Sequence, residues 1–126
     1  MTSFSGEKLI LKVRLVNGDY SYLTHGLLDT GSSVTIISKE IAKFLRLPDD
    51  PVRPRETLVT GSGVITVEQK SVEQFFVGHD RYPGVRVRVH DLPKNSKFPI
   101  LIGMNVISRM RISINGPKKT FLARKA

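Results

Sequence analysis

The chain has 126 residues, no cysteine, and a formal charge of +9 from 20 Lys and Arg against 11 Asp and Glu. That length supports one domain with a substantial core but not two lobes, and the missing cysteine excludes disulfide staples and thiolate catalysis. No apolar run is long enough to span a bilayer, and Met-Thr-Ser-Phe-Ser-Gly-Glu-Lys lacks an apolar leader, so a cytoplasmic location is expected. The charge is uneven: residues 1 to 50 hold 6 basic and 6 acidic side chains, whereas residues 51 to 126 hold 14 and 5. Such a basic second part suits nucleic acid, acidic substrates or an anionic surface, and equally a solvated face that keeps the protein soluble.

In chain order, Lys8 to Val16 alternates apolar and basic residues after Leu11, the period of a strand with one buried face. Asn17-Gly18-Asp19 tolerates positive φ and predicts a hairpin, with a return strand from Tyr20 to Leu28 that delivers Asp29. Leu27-Leu28-Asp29-Thr30-Gly31-Ser32-Ser33, followed by Val34-Thr35-Ile36-Ile37, places an aspartate in a tight turn between two apolar, β-rich segments. An acid group with apolar walls and backbone N–H donors beside it is a catalytic arrangement; a surface Asp turn between strands is the plainer alternative. Ser38 is a suitable N-cap for a helix over Lys39 to Leu47, with Ile41, Phe44 and Leu45 on one face. Pro48, Pro51 and Pro54 then impose a loop.

Thr57 to Thr60 and Val64 to Val67 are β-rich arms around Gly61-Ser62-Gly63, which predicts a hairpin. A phosphate-binding loop would continue into Gly-Lys-Ser/Thr and a helix, and Val-Ile-Thr-Val follows instead. Strands are expected over Gln69 to Val77 and Gly84 to Val89, with a polar turn from His79 to Gly84 between them. His25, His79 and His90 show no metal-ligand spacing, and no metal or cofactor is expected. Pro99-Ile100-Leu101-Ile102-Gly103-Met104-Asn105 is an apolar strand that reaches a glycine, and Val106 to Met110 has helical spacing. A terminal hairpin over Arg111 to Ala123, turning at Asn115-Gly116-Pro117, completes the pattern. Apolar edges of this kind generally find a partner.

The hydrophobic-hydrophobic-Asp-Thr-Gly at Asp29, the Gly-rich hairpin after it, and the hydrophobic-hydrophobic-Gly about seventy residues on occur in the order found in one family. On these motifs the chain resembles the retropepsin-like aspartic proteases along nearly its whole length. The resemblance implies a mainly β domain spanning residues 1–126, a closed barrel with a flap hairpin and one or two short helices, forming half of a two-fold symmetric dimer. It implies an aspartic endopeptidase acting on peptide or protein substrates, with Asp29 catalytic and Thr30, Gly31 and Ser32 supporting its loop. Gly61, Ser62, Gly63 and Val64 would form the flap, and Leu28 and Ile102 would wall subsites. None of Asp19, Asp49, Asp50, Asp80 and Asp91 has Gly two residues later, so one chain supplies half a site and a homodimer is expected. Two carboxyls a few Å apart share one proton, and such a pair can act as base and acid together.

Retroviral members carry an acidic residue and an arginine where this chain has Ser33 and Met104. With that ion pair absent, the Gly-Met-Asn turn and the long terminal hairpin look closer to the protease domain of the DNA-damage-inducible proteins and to bacterial relatives. The rival expectation is a catalytically silent module of the same fold, binding peptide or nucleic acid through the basic second part.

Overall fold

The computed structural model describes residues 1–91 and 98–126. Strand β1 (Thr2–Ser3) precedes the hairpin of β2 (Ile10–Asn17) and β3 (Tyr20–Leu28), which turns at Gly18 with φ +57°. Val13 and Leu15 of β2 are fully buried while Lys12 and Arg14 face solvent, as the alternation predicts. The chain continues through β4 (Thr35–Ile37), helix α1 (Lys39–Phe44), β5 (Arg55–Thr60), β6 (Gly63–Val77) and β7 (Asp80–Val89). It ends with β8 (Ile100–Ile102), α2 (Met104–Ile107), β9 (Met110–Asn115) and β10 (Thr120–Lys125).

The main sheet has the order β2-β3-β8-β4-β7-β6-β5, and β2 also pairs with β6. Six strands therefore close on themselves, and β5 stands outside the ring as one arm of the β5–β6 hairpin. Leu15, Ile37, Phe75, Tyr82, Val87, Ile100 and Ile102 fill the interior, joined by Ile41 of α1 and by Leu45 at its C-cap. Each large side chain so buried contributes about 1.5–3 kcal/mol relative to exposure. This is the mainly β closed barrel with a projecting hairpin and two short helices that the motifs imply.

Two stretches differ from the sequence-based expectation. The strands around residues 64–67 and 69–77 are one strand, and β7 already begins at Asp80, so the turn shrinks to Gly78-His79, with Gly78 at φ +60°. Gly84, also at positive φ, then lies inside β7. Across it the buried positions step by three, from Tyr82 to Val85 on β7 and from Phe75 to Val72 on β6, instead of by two. The pair of strands switches the face it turns to the core at this point, which alternation read from sequence alone does not reveal.

Helix α1 starts on Ser38, whose side chain accepts from the Ile41 N–H at 3.3 Å, but stops at Phe44. Arg46 adopts φ +51°, and the N–H groups of Arg46 and Leu47 donate to the carbonyls of Lys43 and Ala42, a Schellman cap without glycine. The Asn17 side chain, from the distant hairpin, donates to the Leu45 carbonyl at 2.8 Å and fixes this end. Phe44 is consequently 52% exposed, packed edge-on against Tyr22 and Tyr20, and Ala42 takes its expected place on the buried face.

A separate sheet with the order β1-β10-β9 joins the two ends of the chain, with Phe4 packed against Phe121. At the centre of the barrel wall, β8 runs parallel to β3 and antiparallel to β4. Where β8 ends, a Cβ on Gly103 would lie 2.5 Å from the Val34 carbonyl carbon and 2.8 Å from the Thr35 nitrogen, both backbone atoms. Gly103→Ala is therefore expected to destabilise the fold at the upper end of the about 1–3 kcal/mol range for overpacking, whereas Gly116→Ala, with open space around it, leaves stability near wild type; denaturant titration of both variants checks this.

Candidate active site

Strand β3 hands the chain directly to Asp29, whose N–H donates to the Ile102 carbonyl at 2.9 Å and so continues the β3–β8 ladder by one residue. The turn then folds back on itself. The Gly31 N–H donates to the Asp29 carboxylate at 3.0 Å, and the Ser32 N–H to the Asp29 carbonyl at 3.2 Å. A Cβ on Gly31 would sit 3.2 Å from that same carboxylate oxygen, so glycine lets the backbone come close to the acid. The Ser32 hydroxyl donates to the Val34 carbonyl at 2.6 Å, and Thr30 lies exposed at the tip. Asp29, Thr30, Gly31 and Ser32 thus share one compact turn, with the Asp29 carboxyl partly exposed.

The turn is clamped from behind by α2. The Met104 N–H donates to the Ser32 carbonyl at 2.7 Å and the Asn105 N–H to the Ser33 carbonyl at 3.1 Å, which satisfies two free donors of the first helical turn. Ser33 and Met104 stand where retroviral members carry their ion pair, and here main-chain bonds join the same two segments. The Asn105 side chain extends the clamp. Its Oδ1 accepts from the Thr35 N–H at 2.9 Å and the Thr35 hydroxyl at 2.8 Å, and its Nδ2 donates to the Arg86 carbonyl at 2.8 Å. The Thr35 hydroxyl in turn accepts from the Gly103 N–H at 3.1 Å. Sequence reasoning assigned no role to Thr35 or Asn105. The available signal was an asparagine in the turn just after Gly103, between Met104 and Val106.

Strand register decides which side chains share a face with Asp29. Leu27, Leu101, Ile36 and Arg88 are directly opposite one another across β3, β8, β4 and β7, and Asp29 lies two residues beyond Leu27 on the same side. Leu28 and Ile102 belong to the opposite, core-facing rows. Ile102 is fully buried, against Val13 and Gly26, so it backs the wall instead of forming it. Leu28 packs on the core. Leu27, Leu101 and Ile36, each partly exposed, are the apolar groups beside the aspartate.

The hairpin of β5 and β6 turns at Gly61-Ser62, with Gly63 at φ +128° and the Thr60 hydroxyl donating to the Gly63 carbonyl at 2.9 Å. Val59 and Val64 are 85% and 65% exposed, the apolar surface expected of a segment that covers something. Its base is strapped down by Arg88, whose Nε and Nη2 both reach the Glu56 carboxylate at 2.9 Å in a bidentate fork. Asp50 anchors the proline loop. Its carboxylate accepts from the Arg53 and Val52 N–H groups at 2.7 and 3.1 Å and faces Arg86 Nε at 3.3 Å. Burial raises the pKa of Asp50, but these backbone donors and the Arg86 guanidinium outweigh it, and the net shift is downward from 3.8. Among the described residues, no group of His, Cys, Asp and Glu is placed to hold a metal, and no helix is long and apolar enough to cross a membrane.

A closed six-stranded barrel with an Asp-Thr-Gly turn at the end of one strand and a projecting hairpin is the fold of the retropepsin-like aspartic proteases. Residues 15–109 match the family described as "gag-polyprotein putative aspartyl protease", and the chain belongs to that family. Among solved structures it is similar to a retropepsin-like aspartic protease from Rickettsia conorii, at 17% identity and a TM-score of 0.68 over 100% of this chain and 89% of that one. Comparison with curated proteins gives no match.

Thr35→Val is expected to cost about 1–3 kcal/mol, because it leaves the Gly103 N–H buried without its acceptor; the midpoint of chemical unfolding reports it. The depressed Asp50 carboxyl contributes stability that is present above its ordinary value of 3.8 and is lost as pH falls below it toward the folded-state value. The difference in melting temperature between wild type and Asp50→Asn should therefore shrink as pH is lowered through 3.8.

Proposed function

We propose that the protein is an aspartic endopeptidase that works as a homodimer and activates water between two Asp29 carboxyls. The observation that carries this reading is the Asp29 turn itself. Its carboxyl is held by the Gly31 N–H, partly exposed, on a chain with no second Asp-Thr-Gly to complete a site. One carboxylate would take a proton from water as it attacks the scissile carbonyl. Its partner's proton would polarise the carbonyl oxygen and then pass to the leaving amine. By family resemblance Thr30 bonds across the two-fold axis and keeps the paired turns together. The hairpin from Gly61 to Val64 would close over an extended peptide, and Leu27, Leu101 and Ile36 would receive apolar side chains nearest the scissile bond.

A second reading has its own support. A groove of about 820 Å³ between α1 and β6 is lined by Lys39, Lys43 and Arg46 around Ala42 and Leu47, with Glu68 and the Asp49-paired Lys70 on its other wall, and the three cations on the α1 side suit a non-catalytic module binding an anionic partner. It prevails if the purified protein cleaves no peptide library from acid to neutral pH yet binds nucleic acid with an affinity that falls steeply on a log scale with salt.

Asp29→Asn is expected to lower kcat/KM for peptide cleavage by about 10²–10⁴-fold, while sedimentation equilibrium still reports the dimer. A fully active Asn variant, or a wild-type protein that stays monomeric while cleaving, overturns the mechanism.

A further inference from the structure

The row of residues that contains Asp29 does not end at the apolar groups beside it. Extending the observed registers past the strand ends places Asp29 opposite Gly103, Gly103 opposite Val34, and Val34 opposite Arg86. The Asp29 bond to the Ile102 carbonyl and the close passage of Gly103, where an added Cβ would fall 2.5 Å from the Val34 carbonyl carbon, support the extension. At the far end of this row lies a cavity of about 220 Å³ lined by Val34, Asp50, Arg86, Asn105 and Arg109, beside Gly84 and Val85.

The lining is unbalanced toward donors. Asp50 has its carboxylate engaged by two backbone N–H groups and by Arg86. Arg86 Nε is buried and lacks a hydrogen bond of proper geometry among the described residues, and the 3.3 Å contact with Asp50 is an ion pair only. Arg109 makes no ion pair among the described residues. Two arginines thus line the cavity beside one carboxylate that is already paired with Arg86, a surplus of one positive charge. Guanidinium donors in a recess recognise carboxylates through short, charge-assisted bonds.

We infer that this cavity is a subsite for an acidic side chain of the peptide substrate, set apart from the scissile bond. Three strand spacings of about 4.8 Å separate Asp29 from Arg86, roughly 14 Å, and an extended peptide advances about 3.4 Å per residue. The acidic side chain therefore belongs about four residues from the cleaved bond. The neighbouring row offers the Arg88–Glu56 fork, an internally neutral pair that leaves the charge preference to Arg86 and Arg109. This inference rests on the endopeptidase reading and adds a substrate class to it.

The test uses the wild-type dimer and matched peptides that carry Glu, Gln, Leu or Lys at each position from two to six residues on either side of the scissile bond. At one position three to five residues out, kcat/KM for Glu should exceed that for Gln by about tenfold. Arg109→Gln should cut that ratio severalfold, and Arg109→Glu should turn the preference toward Lys. Arg86→Gln, in which Asp50 keeps its two backbone donors, should act in the same direction as Arg109→Gln. Equal rates for Glu, Gln and Leu at every position, or a preference unchanged in Arg109→Glu, overturns the subsite. The same peptides are also bound to Asp29→Asn by fluorescence anisotropy. Glu-dependent binding to Asp29→Asn, together with a wild type that cleaves none of the peptides, retains the subsite and sinks the protease reading. Cleavage without charge preference does the reverse, and the absence of both removes both.

Discussion

The close passage of Gly103 against the backbone at Val34–Thr35 is the constraint on which the rest of the molecule depends. At that point the end of β8, bonded on one side to Asp29, meets the backbone entering β4 on the other, so the aspartate turn, the strand leaving it and the start of α2 are fixed as one unit. A side chain at Gly103 would separate them. The Thr35 hydroxyl and the Asn105 amide then satisfy the polar groups that such close packing buries, and Asn105 carries the connection on to β7 through the Arg86 carbonyl. Rigidity at the acid is thus obtained from main-chain contact and one amide, with no ion pair between the two segments.

The same packing explains how the site opens onto the surface. Because β8 is inserted between β3 and β4, two of its three side chains, Ile100 and Ile102, are committed to the core, and only Leu101 faces outward. Asp29 leaves β3 on the outward side, so the carboxyl stands on an apolar strip formed by Leu27, Leu101 and Ile36 that gives way to charged groups at β7. A peptide laid across these strands would meet apolar surface near the acid and guanidinium groups farther away. That gradient follows from register alone.

Much of this was legible in the sequence because it is encoded locally. Asn17-Gly18 fixes a hairpin, Asp29-Thr30-Gly31 a turn and Gly103 the end of a strand before a helix, each through the conformational freedom or small size of residues at the spot. What was not legible depends on partners far along the chain. Whether Leu27 or Leu28 faces the site is a parity set by the side on which the barrel closes, and a shift of one residue exchanges the two faces. The end of α1 is fixed by Asn17, twenty-eight residues earlier. Thr35 meets Asn105 across seventy residues, and nothing near either one announces the other. The face switch between Val72 and Phe75, opposite Gly84, is recorded by a pattern of alternation only as a missed beat.

The Arg88–Glu56 fork ties β5 to β7 across the intervening β6, and it does so below the tip of the hairpin. Only Thr57 to Thr60 and the facing residues of β6 project past it, a free arm of about four residues, or roughly 13 Å. The hairpin therefore bends as a short cantilever from a clamped root, and its sweep is limited by where that clamp sits. The reach of the covering element over a bound chain is a matter of lever length, set by the position of a single guanidinium.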